Sequence, residues 1–567
     1  MTSNLHKTVL YVIVMFALCL GCAKHDESVQ PQIDPQTLFS MAVPYLPETL
    51  DPAFASDPSN LTLLSGLYEG LTTLDSETLA PLPGAAERWE ISDDGLTYTF
   101  HLRKATMSDG RPISSTDFLY SWNRILLPTT RSPYAELLYE IKNAREFHTG
   151  KLNDFAEVGI SGIDQMTLAV TLDRPCPYFL QLMALPPMAP VARERIMRYG
   201  AAWCEPGKFA SNGPFIIHRI QPKQFVVLRK NPSYWDASSV KLLYVQVGVA
   251  PGLRSILRPY FQGGIDLIAD IPATDIPLVK DRSDFYKHPH VGTFYLSLNT
   301  ATPVLADSRV RRALGLALEK DKILSNILVA GQPAGTLVPI GVSGYDPPVA
   351  EHHDVDSARK LLEEAGYPQG KQFPKLRLLH NEHPLVTATA ESIQKAWKDN
   401  LGIEAQLRAA SGTALSTAEA QHQFDVSMSS WIGNHPDPMG LLALFRTTST
   451  KNPTGWTDSH YDELLEKADS AANTDERSAL LREAEDMLLK AYSVVPLLHY
   501  SKAYMLSPRV GGFTANTLDI HPLKNIFIKP DAPQLEPPSA KLIQTLTGQE
   551  QPMEPKSESQ GETGDKP

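Results

Sequence analysis

Residues 354–368 read DVDSARKLLEEAGYP, and the reading of the whole chain turns on this short run. An aspartate ahead of a periodic apolar pattern can accept the unpaired amides of a helix start, so Asp356 is expected to cap a helix. Ala358, Leu361, Leu362 and Ala365 recur at helical spacing and would line one face. Gly366 and then Pro368 end it. The same signal returns downstream, where Asn473 and Glu476 have capping-box spacing and Leu480, Leu481, Ala484, Met487 and Leu488 continue the stripe. Toward the N-terminus the period changes to two. Tyr98–Leu102, Leu168–Leu172 and Phe225–Leu228 read as strands. Strand and helix signals interleave from Leu38 to Lys529 without a short repeat, which predicts an α/β architecture of several lobes.

Composition agrees with that scale. The chain has 567 residues, 42% of them hydrophobic, enough for more than one core, and roughly 100–200 residues per domain implies two to four domains. Its net charge of −12, from 52 basic and 64 acidic side chains, argues against binding nucleic acid through counterion release. The 46 prolines, about 8% against a usual ~5%, exclude a coiled coil or helical solenoid.

The two ends read differently from the body. Lys7 precedes an apolar run, Val9–Leu20, too short for a hydrocarbon core that needs about 20 residues. Leu20-Gly21-Cys22 then follows the pattern of a bacterial lipoprotein signal, with Cys19 where an apolar residue is usual. Residues 1–21 are therefore expected to be a signal peptide and Cys22 a lipidation site, the bland alternative being a soluble secreted protein cut nearby. The expected place is periplasmic or cell-surface, on a lipid anchor. Residues 22–36 are expected to be a flexible tether and the Pro/Glu/Gln-rich 531–567 a disordered tail. Cys176 and Cys204 remain as a disulfide candidate worth about 3 kcal/mol in an oxidising compartment, or as two buried thiols.

Catalytic parts are missing from the sequence. It has no His-Glu-x-x-His helix and no Gly-x-Ser-x-Gly elbow. Gly366–Lys371 is one residue short of a phosphate loop and is followed by Gln372, so a helix cap and turn is the reading. Glu351-His352-His353-Asp354 and His380 with His383 offer metal-binding side chains, but contiguous residues on a loop rarely converge on one ion, and no metal site is expected. The expectation is a protein without enzymatic activity or cofactor.

From LYEGL (67–71) onward the chain resembles the family 5 extracellular solute-binding proteins of ABC importers, in their oligopeptide-binding branch. The resemblance runs through TYTFHLR (97–103), SDGRPISSTDFLYSW (108–122), SPYAELL (132–138) and GIDQMTLAVTLDRPCPYF (162–179). It continues through SNGPFIIHR (211–219), VVLRKNPSYWD (226–236), DSRVRRALGLALEK (307–320), HQFDVSMSSW (422–431) and VGGFTANTLDIHPLKNIFI (510–528). These blocks keep the family's order over almost the whole mature chain. The resemblance implies a two-lobed type II periplasmic binding protein, a hinged clamp with an extra domain inserted in the first lobe. Domain I would comprise 37–68, 193–291 and 501–530, the inserted domain II 69–192, and the second lobe, domain III, 292–500, with hinges near Gly292 and Tyr500. It further implies a monomer that captures extended oligopeptides between its lobes and hands them to permease and ATPase subunits. A sibling clamp for an amine-blocked peptide, sugar or opine-like solute, or a ligand-presenting sensor or chaperone module, is the alternative.

The site follows from the same resemblance. Trp431, Gly433, Asn434, His435 and Asp437 match the family's main ligand segment. Tyr134 and Tyr500 resemble ligand-facing tyrosines, with core packing as the bland reading of each aromatic. Asn434 departs from the pattern, because peptide-binding relatives place there an aspartate that pairs with the peptide's ammonium group. Met428, Gly412 and Val386 also stand where peptide binders carry other side chains, and Asp437 is a nearby substitute carboxylate.

Overall fold

The computed structural model describes residues 34–55, 61–250, 252–325, 331–342, 344–349, 351–433, 435–471, 473–539 and 542–543. The signal segment, Cys22, most of the tether, Asn434 and everything after 543 lie outside the described residues.

Strand β1 (Leu38–Val43) is followed by a hairpin of β2 (Thr72–Leu74) and β3 (Pro81–Pro83). Strands β4 (Ala86–Ile91), β5 (Thr97–Leu102), β6 (Ile160–Asp164) and β7 (Thr167–Thr171) come next, then β8 (Phe215–Gln221), β9 (Phe225–Lys230), β10 (Tyr244–Val249) and β11 (Leu267–Ile268). The chain continues through β12 (Phe285–Leu298), β13 (Gly331–Pro333), β14 (Leu376–Asn381), β15 (Ala405–Ala410) and β16 (Val426–Ile432). It closes with β17 (Val494–Leu506), β18 (Val510–Gly511) and β19 (Phe527–Ile528).

Among the described residues, eleven strands make one mixed sheet in the order β15-β14-β16-β12-β17-β11-β1-β10-β9-β8, with β13 added on β17. Two strands of this sheet are long, and they join its two halves. The C-terminal half of β12 pairs with β16, from Gly292↔Ile432 to Leu298↔Val426. The C-terminal end of β17 pairs with β11 at Met505 and Leu506. Between those regions the β12–β17 register breaks between Pro289 and Thr293, across from Ser501 and His499. An irregularity of this kind bends and twists a strand pair, so it divides the sheet into two lobes at a defined place.

A separate antiparallel sheet, β4-β5-β7-β6, is inserted in chain order between β1 and β8. Its β5 shows the alternating burial that its sequence predicts. The helix Ser115–Leu126 covers its core with Phe118, Trp122, Ile125 and Leu126, and starts on a capping box of Ser114 and Asp117. Arg124 of that helix grips Asp51 through Nη1 at 2.9 Å and Nη2 at 2.5 Å, and the indole of Trp203 donates to the same carboxylate at 3.0 Å. A buried carboxylate paired on three sides ties the inserted unit to the first lobe.

Four expectations change or sharpen. The helix Val355–Glu364 is capped by Asp354, whose Oδ1 accepts from Ser357 N at 2.9 Å, and Asp356 sits in its first turn. Two aspartates two residues apart are interchangeable to a reader of pattern; only the extended backbone of the first makes it the cap. Asn473 does cap Thr474–Ala491, accepting from the amides of Asp475 and Glu476. Cys176 and Cys204 are both free and buried, in different hydrophobic clusters, which corrects the disulfide expectation. The expected tail, 531–567, is described only at 531–539 and 542–543, and these residues touch the body. Glu536 accepts from Ser283 N and Oγ at 3.1 and 2.8 Å, Arg282 donates to its carbonyl, and Leu542 is 2% exposed against Leu253, Ile256 and their neighbours. Two isolated leucines, Leu535 and Leu542, dock a stretch whose average composition reads as disordered.

Candidate functional site

The candidate segment that begins at Trp431 leaves β16 beside the register break of β12 and β17. Thr293 pairs with Trp431, and Gly433 N donates to Val291 O at 2.9 Å, so the segment extends the β12–β16 ladder beyond its last strand residue. A side chain at Gly433 would place its Cβ 2.7 Å from Val291 Cγ1, and one at Gly292 would stand 3.0 Å from Ile432, Trp431 and Tyr500 atoms. Glycine at both places lets Trp431 and Tyr500 close around the register break.

Trp431 is partly buried, and its indole N–H has no hydrogen-bond partner. Lys451 Nζ lies 5.8 Å from its ring centroid and bonds Glu136 of the inserted unit at 2.6 Å. His435 stacks on Tyr178 at 4.2 Å and 15°, with both ring nitrogens sequestered and unpartnered. Burial holds that imidazole below its ordinary pKa, hence neutral at pH 7. Tyr178 donates to Glu140 at 3.2 Å, and Arg174 bonds Glu140 at 3.1 Å and stands 3.9 Å from Asp469. Arg446 completes the chain on Asp469 at 2.7 Å. Burial pushes the Asp469 carboxyl up against the pull of its two arginines. The inserted unit thus meets the second lobe through a stacked ring pair and alternating charges.

Asp437 is engaged elsewhere. Its two oxygens take Arg477 Nη1 and Nη2 at 2.8 and 2.9 Å, and Oδ1 also accepts from Met439 N. It holds the turn and does not stand in for a free carboxylate. Tyr134 belongs to the inserted unit and donates to Ala55 O at 2.6 Å, two residues from the Glu136 that reaches Lys451. Tyr500 sits on β17 opposite the register break and bonds Ser430. Met428 is 2% exposed in the second lobe's core, Val386 packs on that same core, and Gly412 opens an exposed helix. These three therefore lie apart from the Trp431–His435 face. Tyr178, Glu140, Arg174, Asp469 and Lys451 went unread in the sequence, since each meets a partner across tens to hundreds of residues and none sits in a spacing motif.

Among the sequence's metal candidates, Glu351 is held by Arg312 and Tyr492 and Asp354 caps a helix. Among the described residues no helix is long and apolar enough to cross a membrane.

Two lobes hinged on a pair of strands, with an inserted domain on the first and an aromatic, charge-laced face between them, define a binding protein of the periplasmic clamp class. The chain belongs to the bacterial extracellular solute-binding proteins, family 5, whose middle-region model matches residues 80–453. It is 31% identical to the probable deoxycholate-binding periplasmic protein YgiS of Escherichia coli (strain K12), over 89% of this chain and 96% of that one. It is also 31% identical to the periplasmic oligopeptide-binding protein OppA of Salmonella typhimurium, over 85% and 90%. The unliganded open form of the murein tripeptide binding protein MppA superposes with a TM-score of 0.77 at 28% identity, covering 87% of this chain and 97% of that one.

Proposed function

We propose that this chain captures oligopeptides between its lobes and passes them to the permease and ATPase subunits of an ABC importer, making and breaking no covalent bond. The observation that supports the reading is the contact of the Trp431–His435 face with the inserted unit: His435 stacks on Tyr178, and Lys451, which lies over Trp431, bonds Glu136. Relatives named for oligopeptides support the ligand class. An extended peptide satisfies its backbone against such a cleft, and broad specificity follows where side-chain pockets are roomy. The protein acts as a monomer, exported on residues 1–21 and held at the membrane by lipid on Cys22. Domains I, II and III follow the boundaries set out from the sequence.

A second reading has its own support. With Asp437 committed to Arg477 and Asn434 a neutral amide, no carboxylate of this segment is offered to a peptide ammonium group, and one relative is named for deoxycholate. An amine-blocked peptide or a non-peptide amphiphile then becomes the ligand. Calorimetric titration with a peptide pool, the same pool N-acetylated, and deoxycholate separates the two. Saturable binding that needs the free amine, strengthened by Asn434→Asp, supports the peptide reading. Binding of deoxycholate alone overturns it.

A further inference from the structure

The loop after β18 folds back against the hinge. Val291 N donates to Thr517 O at 2.8 Å and His290 Nδ1 to the same carbonyl at 2.9 Å. This brings Asp519 and His521 beside His288 of β12, with one donor atom of each within 4.8 Å of the others. We propose that His288, Asp519 and His521 form a binding site for a divalent transition-metal ion of the zinc class, clamping the C-terminal loop to the first-lobe side of the hinge.

The hydrogen bonds around the rings carry the argument. His288 Nδ1 faces Pro289 O at 3.1 Å and His521 Nδ1 faces Thr514 O at 3.0 Å. A carbonyl only accepts, so both Nδ1 atoms bear a proton, and each ring in its neutral form presents an Nε2 lone pair. Metal-ligating histidines are oriented by this same backbone bond. His521 Nε2 then stands 2.9 Å from Asp519 Oδ1, lone pair against lone pair unless a cation lies between or the ring takes a second proton. His288 Nε2, 3.8 Å from the same oxygen, is buried without a hydrogen-bond partner. Neighbouring ligand atoms of tetrahedral zinc stand ~3.3 Å apart when each bond is about 2.0–2.1 Å, and the two observed separations bracket that value.

The surroundings are built to hold the donors still. The side chains of His288 and His521 are 10% and 6% exposed; His521 stacks on Phe513 at 3.9 Å and His288 meets Tyr504 edge-on at 5.4 Å. Asp519 is kept at φ 56°, in the left-handed region. Lys502 Nζ takes the outer oxygen, Oδ2, at 3.5 Å and leaves Oδ1 to the imidazoles. Asp270 lines the same small cavity as Lys502, Asp519 and His521 and adds a second acidic charge. A water would complete the coordination.

Zinc chloride titrated calorimetrically into chelator-treated chain at pH 7.5 is expected to bind with one equivalent at micromolar strength and to raise the melting temperature by several degrees. His288→Gln and His521→Gln should each weaken that binding at least about tenfold, while the His352→Gln/His353→Gln double variant keeps it. Cobalt(II) added to the unaltered chain should give the visible bands of a four-coordinate ion, a readout independent of whether the variants fold. No uptake by the unaltered chain at 100-fold the micromolar scale, equal affinity in both variants, or an NMR signature of doubly protonated His521 unchanged by zinc would overturn the proposal.

Discussion

The Asp437 carboxylate is occupied twice within the fold, by the guanidinium of Arg477 and by the Met439 amide. Both partners of the ion pair are nearly buried, with side-chain exposures of 11% and 12%. Asp437→Ala should therefore leave a buried guanidinium unpaired and cost about 3–5 kcal/mol, read from urea unfolding; a loss under about 1 kcal/mol would mean that Arg477 finds another partner. Glu485 is the second test at this scale. It accepts from Leu337 N at 2.7 Å, Val338 N at 2.8 Å and the hydroxyl of Tyr345, and burial pushes its carboxyl up to about 7. Glu485→Ala orphans three donors and should destabilise by about 3–5 kcal/mol. The two residues differ in how readable they were. Asp437 was singled out in the sequence as part of the candidate segment, but its partner lies forty residues on, on a helix whose polar positions look alike. Glu485 was illegible because it sits among Leu481, Ala484 and Leu488, where an acidic residue reads as the edge of the apolar face and is in fact inside it.

Elements were read best where a period persists. Strands β5 and β7 lie on alternating runs and the two helix stripes lie on helices, because one buried face dictates each pattern, whereas β9 lies on its expected run with Val226, Val227 and Leu228 all buried. Alternation fails for β12 and β17. They are buried on both faces along most of their length, so apolar residues do not alternate, and Lys287 to His290 in β12 and His499, Ser501 and Lys502 in β17 interrupt the apolar run, so neither announces a thirteen- or fourteen-residue strand. His499 of β17 is one consequence. It bonds Thr336 O at 2.8 Å, and burial holds its pKa down at about 4. The folded value lies below the unfolded ~6.5, so this stabilisation is complete above that pH and is lost as pH falls toward 4. Unfolding free energy should drop by up to about 3 kcal/mol between pH 7 and 4, and His499→Gln should flatten part of that slope. The docked tail is the other consequence. Removing residues after 530 uncovers the cluster around Leu253 and Tyr260 and frees Arg282 and Ser283, so the melting temperature should fall by several degrees. An unchanged melting curve would show that Leu535 and Leu542 contribute nothing in solution.

At the scale of the molecule, the hinge and the cleft face act together. The strands that join the lobes carry a register break, so any contact between the inserted unit and the second lobe bears on the angle between them. Glu136–Lys451 is the pair best placed for a test, because its side chains are 61% and 51% exposed and no core depends on it. Such a pair is worth ~0.2–1 kcal/mol, while Arg174, Glu140, Asp469 and Tyr178 beside it keep the remaining contacts. Glu136→Lys turns attraction into repulsion across the cleft and leaves both lobes folded. A ligand that binds the closed arrangement must then overcome that repulsion, and its apparent affinity falls by the same factor as the closed population. The expected result at low salt is a weakening of up to about fivefold, with a larger radius of gyration for the free variant in small-angle scattering and an unchanged melting temperature. At about 0.5 M salt the screening length falls below 5 Å and the difference should vanish. Equal affinities at both salts, with matching scattering envelopes, would mean that the two lobes do not meet through this face when they close.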